Sequence, residues 1–176
     1  TQNYHRSKSR LESLVNITER YDGYGNSIRK IMELKDSNPG ILGVIADIIK
    51  VEKQYETAIE TALGGTIKNI VTDKENTAKE LINYLKVNKL GRATFLPLNA
   101  IHSRNTLEND NCINEKGVVG VASNLVRVSF EYEGLAKYLL GRILVVDNIE
   151  NALVIARKYK YSLRIVTLEG EQLNPG

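Results

Sequence analysis

Apolar positions near the start of the chain recur with the spacing of a helix. The seam that they form, with steps of three, four and three residues, joins Leu11, Leu14, Thr18 and Tyr21. This spacing predicts a short helix of coiled-coil type, which spans about one and a half heptads and therefore needs a packing partner. A second short helix is predicted over 27–34, and the turn sequence at 37–40 ends this first segment, which we assign to residues 1–37.

Beyond that turn, strand-like and helix-like stretches alternate along the chain. The pattern predicts strands over 43–51, 66–72 and 92–96, and helices over 52–63 and 73–86. In the second of these helices, the side chains predicted to face inward are Ala78, Leu81, Ile82 and Leu85. Asp73 stands just before that helix, where a carboxylate would accept backbone N–H groups as an N-cap.

The second half of the chain repeats this order at matching distances. Tyr55 lies nine residues before Gly64, and Tyr132 lies nine residues before Gly141. In both halves the glycine follows an apolar pair, and the next strand ends in an aspartate that precedes an alanine by five residues. Two unrelated αβ units could share such caps, but four matching offsets favour an internal repeat.

The repeat predicts the fold class and the domain organisation. We expect an α+β (mixed α/β) fold of two similar lobes, each with a small mixed sheet flanked by helices. Lobe I covers residues 38–105 and lobe II covers residues 118–176, and the short coiled-coil helix precedes both. The asparagine-rich stretch 106–117 is interpreted as a linker between them.

Composition is that of an ordinary globular protein and limits the chemistry. Of the 176 residues 42% are hydrophobic and 26% are charged, which excludes collagen-like and low-complexity classes. A single cysteine, Cys112, excludes an internal disulfide and a cysteine-only zinc site, and it fits a reducing compartment. The apolar runs are only as long as strands, so we expect no membrane-spanning helix and a cytoplasmic location. Within residues 1–35, the excess of Lys and Arg over Asp and Glu equals the net charge of the whole chain, +3. We therefore expect any electrostatic attraction to phosphate to be concentrated in the N-terminal arm.

Few residues are candidates for catalysis. The two histidines, His5 and His102, and Cys112 stand in no nucleophile or metal-ligand pattern, and no phosphate-binding glycine loop occurs, so we expect no metal and no cofactor. The best placed acids are Asp47, Asp73 and Asp147, at strand ends. An α/β enzyme fragment that binds a small molecule through these aspartates is the alternative function, and helix capping is the structural explanation for the last two.

The C-terminal residues predict an edge that can be shared with another chain. A strand over 164–168 runs into Gly170, and a short further strand follows the glycine. Such a strand can add to the sheet of a second molecule.

Several short motifs occur in a familiar order. They are Tyr21-Asp22-Gly23-Tyr24, Gly43-Val44-Ile45-Ala46-Asp47, Ala58-Ile59-Glu60-Thr61-Ala62-Leu63-Gly64-Gly65, Gly91-Arg92-Ala93-Thr94-Phe95-Leu96-Pro97-Leu98, Leu140-Gly141 with Val145-Val146-Asp147, and Arg164-Ile165-Val166-Thr167-Leu168-Glu169-Gly170. No single motif is specific, but the ordered set over residues 11–176 resembles the hinge domain of SMC (structural maintenance of chromosomes) proteins, nearest the bacterial form.

The resemblance implies an assembly role without catalysis. Family hinges have two similar lobes and form homodimers that join two coiled-coil arms, whereas the ATPase activity belongs to separate head domains. It implies chromosome condensation and segregation at the nucleoid, with accessory segregation and condensation subunits, and DNA binding near the coil junction. The residues expected at the dimer interface are Arg92, Ala93, Thr94, Phe95, Leu96, Leu168, Gly170, Leu173 and Gly176. The candidates for DNA contact, chosen by charge, are Arg6, Lys8, Arg10, Arg20, Arg29 and Lys30.

Overall fold

A computed structural model describes residues 23–102 and 105–176 of the chain. The predicted N-terminal seam lies outside the described residues. The contacts among Cα atoms divide the chain into two compact units. Unit 1 contains the described residues up to Val44 together with Lys68–Ala100, and unit 2 contains Ile45–Ile67 together with the described residues from Ile101 to Gly176.

Unit 1 is a three-stranded sheet with two helices. Its elements are α1 (Asn26–Glu33), β1 (Ile41–Val44), β3 (Ile70–Thr72), α4 (Glu75–Val87) and β4 (Phe95–Pro97). The strand order is β1-β3-β4, with β1 antiparallel and β4 parallel to β3. Helix α4 crosses between the two parallel strands and packs on both of them. A buried group contributed by both helices and the sheet includes Ile31, Val44, Ile70, Val71 and Leu81.

Unit 2 repeats this arrangement and extends it by one strand. Its elements are α2 (Ile45–Ile48), β2 (Lys50–Val51), α3 (Glu56–Leu63), β5 (Val118–Val121), β6 (Val126–Arg127), α5 (Glu133–Leu140), β7 (Ile143–Val146), α6 (Ile149–Lys158), β8 (Arg164–Thr167) and β9 (Gln172–Leu173). The main sheet has the order β5-β7-β8-β9, and β2 pairs with β6 as a separate two-stranded ladder. Strand β9 therefore covers the edge of β8, whereas unit 1 has no described strand beyond β4.

The fold class expected from the sequence is confirmed, and the repeat is visible in its details. Both β1 and β5 carry a register shift beside a glycine, at Gly43 and Gly120. The glycine before each of these strands accepts a hydrogen bond through its carbonyl. The Asp73 amide donates to Gly40 at 3.0 Å, and the Asp147 amide donates to Gly117 at 2.8 Å.

The boundary between the units differs from the expected lobes at two segments, 45–67 and the described residues of 101–105, both of which fall in unit 2. Residues 45–67 were expected in lobe I, but they belong to unit 2, where α3 packs on β8 and α5. The expected linker 106–117 contributes two buried side chains, Leu107 and Cys112, to the hydrophobic cluster of unit 2. It forms two short 3-10 helices, Leu107–Asn109 and Asn111–Asn114.

The prediction that Asp73 and Asp147 act as N-caps is wrong. The residues at the N-cap positions are Lys74 and Asn148, and the Asn148 side chain accepts a hydrogen bond from the Asn151 amide. Each aspartate instead accepts from a side chain on the first turn of its helix. Thr77 donates to Asp73 at 2.5 Å and Asn151 donates to Asp147 at 2.9 Å.

Candidate interaction edges

The expected interface stretch 92–96 leads into β4, which pairs with only one described strand. The Ile70 amide donates to the Thr94 carbonyl at 2.9 Å, and Ile70 is the partner of Phe95 in the parallel ladder. Backbone groups alternate in direction along a strand, so the N–H and C=O of Phe95 point away from β3. Pro97 ends the strand, and a proline, which has no N–H, is tolerated at the edge of a sheet. Among residues 23–102 and 105–176, the hydrogen-bonding edge at Phe95 is therefore open.

The second expected stretch, 168–176, contains the outer strand of unit 2. In β9, Leu173 pairs with Ile165 and Gln172 pairs with Val166, so one side of β9 is used within the chain. Its other side has no pairing among the described strands. The glycine that allows close approach, Gly170, has φ +95° and is crowded by α3 of the same chain: an added Cβ would lie 2.9 Å from Thr57 Cγ2.

The two remaining sheet edges are less suited to pairing. Both β1 and β5 carry a register shift, and such an irregularity disrupts the regular ladder that an incoming strand would need. In addition, the 3-10 helices that follow Thr106 and Asp110 pack against β5. Of the four outer strands of the two larger sheets, β4 and β9 therefore offer the more regular edges.

A groove opens in unit 1 between α4 and the stretch that enters β4. Its volume is 530 Å³, and its lining residues are Ile82, Leu85, Lys86, Lys89, Gly91, Arg92 and Ala93. Ile82 is 51% exposed, so the prediction that this side chain faces inward is wrong, although Ala78, Leu81 and Leu85 are buried. The groove thus joins apolar positions to three cationic side chains, and sequence analysis did not identify it.

Among the DNA candidates, two lie within the described residues, both on α1. Arg29 donates to the Asn26 side chain at 2.8 Å, and Lys30 lies 3.8 Å from a carboxylate oxygen of Glu33. Arg6, Lys8, Arg10 and Arg20 lie outside the described residues. The structure therefore places only these two cations, on one short helix of unit 1.

The acids considered for catalysis are engaged structurally. The hydrogen bond from Thr77 holds the pKa of Asp73 below its ordinary value, so this carboxylate stays ionised as a hydrogen-bond acceptor. One Asp47 carboxylate oxygen is buried. Across 23–102 and 105–176, no group of three or more His, Cys, Asp or Glu side chains could hold a metal ion.

A polar cluster on unit 2 also has a structural role. Lys158 donates to Glu115 at 2.6 Å, and the Tyr159 hydroxyl donates to the same oxygen at 3.1 Å. The hydrogen bond from Lys158, aided by that from Tyr159, holds the pKa of Glu115 below its ordinary value. The cluster ties α6 to the 106–117 stretch.

No helix in the described part of the chain is long and apolar enough to cross a membrane.

Comparison with known proteins identifies the family of this chain. The model for the SMC proteins flexible hinge domain matches residues 38–156. The chromosome partition protein Smc of Desulfitobacterium hafniense is 39% identical over 175 residues, which cover 97% of this chain and 15% of that protein. The Smc protein of Bacillus subtilis is 36% identical, with 97% of this chain and 14% of that protein covered. The chain thus spans about a seventh of the length of these relatives.

Two solved hinge structures have the same fold. One is an asymmetric dimer of the SMC hinge domain from Geobacillus stearothermophilus, with a TM-score of 0.84 and 37% identity over 99% of this chain and 72% of that chain. The other is the SMC hinge domain of Pyrococcus furiosus, with a TM-score of 0.70 and 34% identity over 92% of this chain and 82% of that chain. With its family-model match, its similarity to bacterial Smc proteins and its repeated mixed α/β units, this chain belongs to the SMC hinge-domain family.

Proposed function

We propose that this chain is a homodimerisation module that joins two SMC arms and carries no chemistry of its own. The observation that carries the proposal is the pair of open sheet edges, β4 in unit 1 and β9 in unit 2. An added strand satisfies the backbone groups of such an edge, which otherwise attract unrelated chains. The relatives are named as chromosome partition proteins. We propose that the parent protein likewise organises and segregates chromosomes at the nucleoid, together with accessory subunits.

The contact we propose runs between unlike edges, with β4 of one copy beside β9 of the other. Two copies present two edges of each kind, so a closed pair forms two contacts. Each contact raises the effective concentration of the other, which lets the joint hold while one contact opens. The residues that we place at the contact are those expected from the sequence. They are 92–96 on one side and Leu168, Gly170, Leu173 and Gly176 on the other.

Charge supports the pairing of unlike units. The described residues of unit 1 include nine Lys or Arg and five Asp or Glu, whereas those of unit 2 include ten and thirteen. Two copies that met through unit 1 alone would bring like charges together, and contact between unit 1 and unit 2 brings opposite charges together. Glu169 and Glu171 lie beside β9, and Lys89 and Arg92 lie before β4.

Replacing Phe95 by proline tests the edge contact. The Phe95→Pro chain loses the outward-facing N–H in each copy, so a pair loses two hydrogen bonds at about 1 kcal/mol each. Relative to Phe95→Ala, which keeps the N–H, we expect the dimer dissociation constant to rise about thirtyfold. Sedimentation equilibrium of the two variants measures this difference.

Two further measurements make this test decisive. Far-ultraviolet circular dichroism must show that both variants keep the native fold. In the unsubstituted chain, the Phe95 amide should exchange its hydrogen more slowly as protein concentration rises through the dissociation constant. Equal dissociation constants for the two variants, with no concentration dependence of exchange, would refute the edge contact.

We also propose an accessory contact with DNA through unit 1, because its described residues include more Lys and Arg than Asp and Glu. Arg29 and Lys30 are both half-buried on α1. Binding through phosphate neutralisation is independent of base sequence and weakens as salt increases.

A double variant measures this contribution. The slope of log affinity against log salt is about −0.9 for each phosphate neutralised. We expect Arg29→Ala with Lys30→Ala to reduce the magnitude of the slope by about 2. The control variant removes Lys53 and Lys137, two exposed cations of unit 2, and should leave the slope unchanged. Equal slopes for both double variants and the unsubstituted chain would remove α1 from the DNA contact.

A further inference from the structure

A small cavity lies within unit 2, between the last turn of α5 and the starts of β7 and β8. Its volume is 250 Å³, and its lining residues are Leu107, Tyr138, Leu139, Arg142, Ile143, Ser162, Leu163, Arg164 and Pro175. Aliphatic side chains and a proline form most of this wall, two arginines stand among them, and none of the lining residues is Asp or Glu. The cavity therefore joins an apolar wall to positive charge.

Backbone carbonyls hold both arginines in place. Arg142 donates to the Asn105 carbonyl at 3.0 Å, and Arg164 donates to the Ala62 carbonyl at 2.9 Å. Among residues 23–102 and 105–176, no ion pair includes either arginine. A carbonyl orients a guanidinium without neutralising it, so each arginine keeps its charge and retains further N–H donors.

The wall beside Arg142 is fixed by a backbone hydrogen bond. The Leu107 amide donates to the Gly141 carbonyl at 2.9 Å, which ties the stretch after Asn105 to the turn that carries Arg142. Leu107 is only 1% exposed, so this stretch is anchored in the core of unit 2. A ligand of the cavity therefore meets a preformed site, and the entropy cost of ordering that site is low.

Volume and charge indicate the class of ligand. Sites for drug-sized molecules and cofactors have volumes of about 300–1,000 Å³, so a cavity of 250 Å³ better suits a single side chain of a peptide. The described residues of unit 2 include ten Lys or Arg and thirteen Asp or Glu, a balance that disfavours a polyanion such as DNA. A short segment with few carboxylates is affected mainly by the nearest charges, because salt screens exposed charges beyond about 8 Å.

We infer that this cavity is the docking site for an acidic segment of a partner protein. An apolar side chain of that segment enters the cavity, and a neighbouring carboxylate accepts hydrogen bonds from Arg142. Arginine suits this role because its planar group can donate two parallel N–H bonds to one carboxylate. The inference does not rest on the proposed dimer, since Arg142 is not among the residues placed at that contact.

An NMR titration of the ¹⁵N-labelled chain with a blocked pentapeptide, in which a leucine lies between two glutamates, tests the inference. We expect the amide signals of Arg142, Ser162 and Leu163 to shift. Arg142→Ala should raise the dissociation constant of the peptide about tenfold, because a charge-assisted hydrogen bond is lost. Arg142 is exposed, so its removal leaves the core intact.

A matched variant and two altered peptides are the controls. Arg157→Ala removes an exposed arginine of α6 that does not line the cavity, and it should change the dissociation constant less than about twofold. A peptide with glutamine in place of both glutamates should bind weakly, and Arg142→Ala should not weaken it further. A peptide with glycine in place of leucine should bind about tenfold more weakly than the original.

Four outcomes would overturn the inference. The first is the absence of shifts around the cavity at millimolar peptide, and the second is equal affinity for the three peptides. The third is a response of the same signals to duplex DNA but to no peptide, since nucleic acid would then be the ligand. The fourth is a weaker dimer of Arg142→Ala in sedimentation equilibrium, which would assign the cavity to the contact between two copies.

Discussion

Leu144→Ala is expected to lower the free energy of unfolding by about 2–5 kcal/mol. Leu144 lies in the middle of the β5-β7-β8-β9 sheet, on β7, and is 0% exposed. It belongs to the cluster that includes Val121, Ile155 and Ile165, from three other elements. Truncation removes apolar burial and leaves a cavity that rigid sheet neighbours cannot fill. Guanidinium denaturation followed by circular dichroism measures the loss.

The matched control for this variant is Val154→Ala. Val154 is on α6, which covers the same sheet, but it is 59% exposed. Its truncation should change the free energy of unfolding by less than about 0.5 kcal/mol. A Leu144→Ala cost below about 1 kcal/mol would contradict the assignment of this cluster as the core of unit 2.

The repeat was predictable from the sequence because it leaves local signals. The distance from Tyr55 to Gly64 recurs from Tyr132 to Gly141. Both pairs run from the last residue of a short 3-10 helix to the glycine after the α-helix that follows it. Glycine and aspartate mark positions where the backbone changes direction, so their spacing carries over into structure.

The assignment of residues 45–67 could not be predicted in the same way. The spacing of Ala58, Ile59, Ala62 and Leu63 indicates which face of α3 is buried, and these residues are buried. It does not indicate which sheet covers that face. The covering strand is β8, about a hundred residues later, where Arg164 donates to the Ala62 carbonyl at 2.9 Å. Such long-range choices depend on tertiary packing, which overrides local pattern.

The interface residues expected from the sequence stay a prediction. The resemblance indicated the stretches 92–96 and 168–176, and these lead into or contain the two open edges of the described sheets. The groove was missed because the helical period assigns Ile82 to the same face as Leu81 and Leu85. Ile82 is nevertheless exposed, because the periodicity of α4 indicates an apolar face but not which part of that face other elements cover.

Gly117→Ala is expected to destabilise unit 2 by about 2–5 kcal/mol, through backbone strain and overpacking together. Gly117 has φ +90°, a conformation that an L side chain rarely adopts. A Cβ at this position would lie 2.5 Å from both Asn151 Nδ2 and Asp147 Oδ1, which are themselves joined by a hydrogen bond of 2.9 Å. The substitution must therefore displace the Asp147 and Asn151 side chains from the start of β5, and guanidinium denaturation measures its cost.

Two other glycines separate the causes of this loss. Gly40 is the counterpart of Gly117 in unit 1 and is also crowded, with Thr77 Cγ2 2.7 Å from the added Cβ, but it lacks the left-handed φ. Gly40→Ala should therefore cost less, about 1–3 kcal/mol, from overpacking alone. Gly134, in the first turn of α5, has open space around it, so Gly134→Ala should stabilise the chain by about 0.4–1 kcal/mol. If Gly117→Ala behaved like Gly134→Ala, the contact of Asp147 with Gly117 could not be what fixes the start of β5. The geometry that the two repeats share would then have no energetic role.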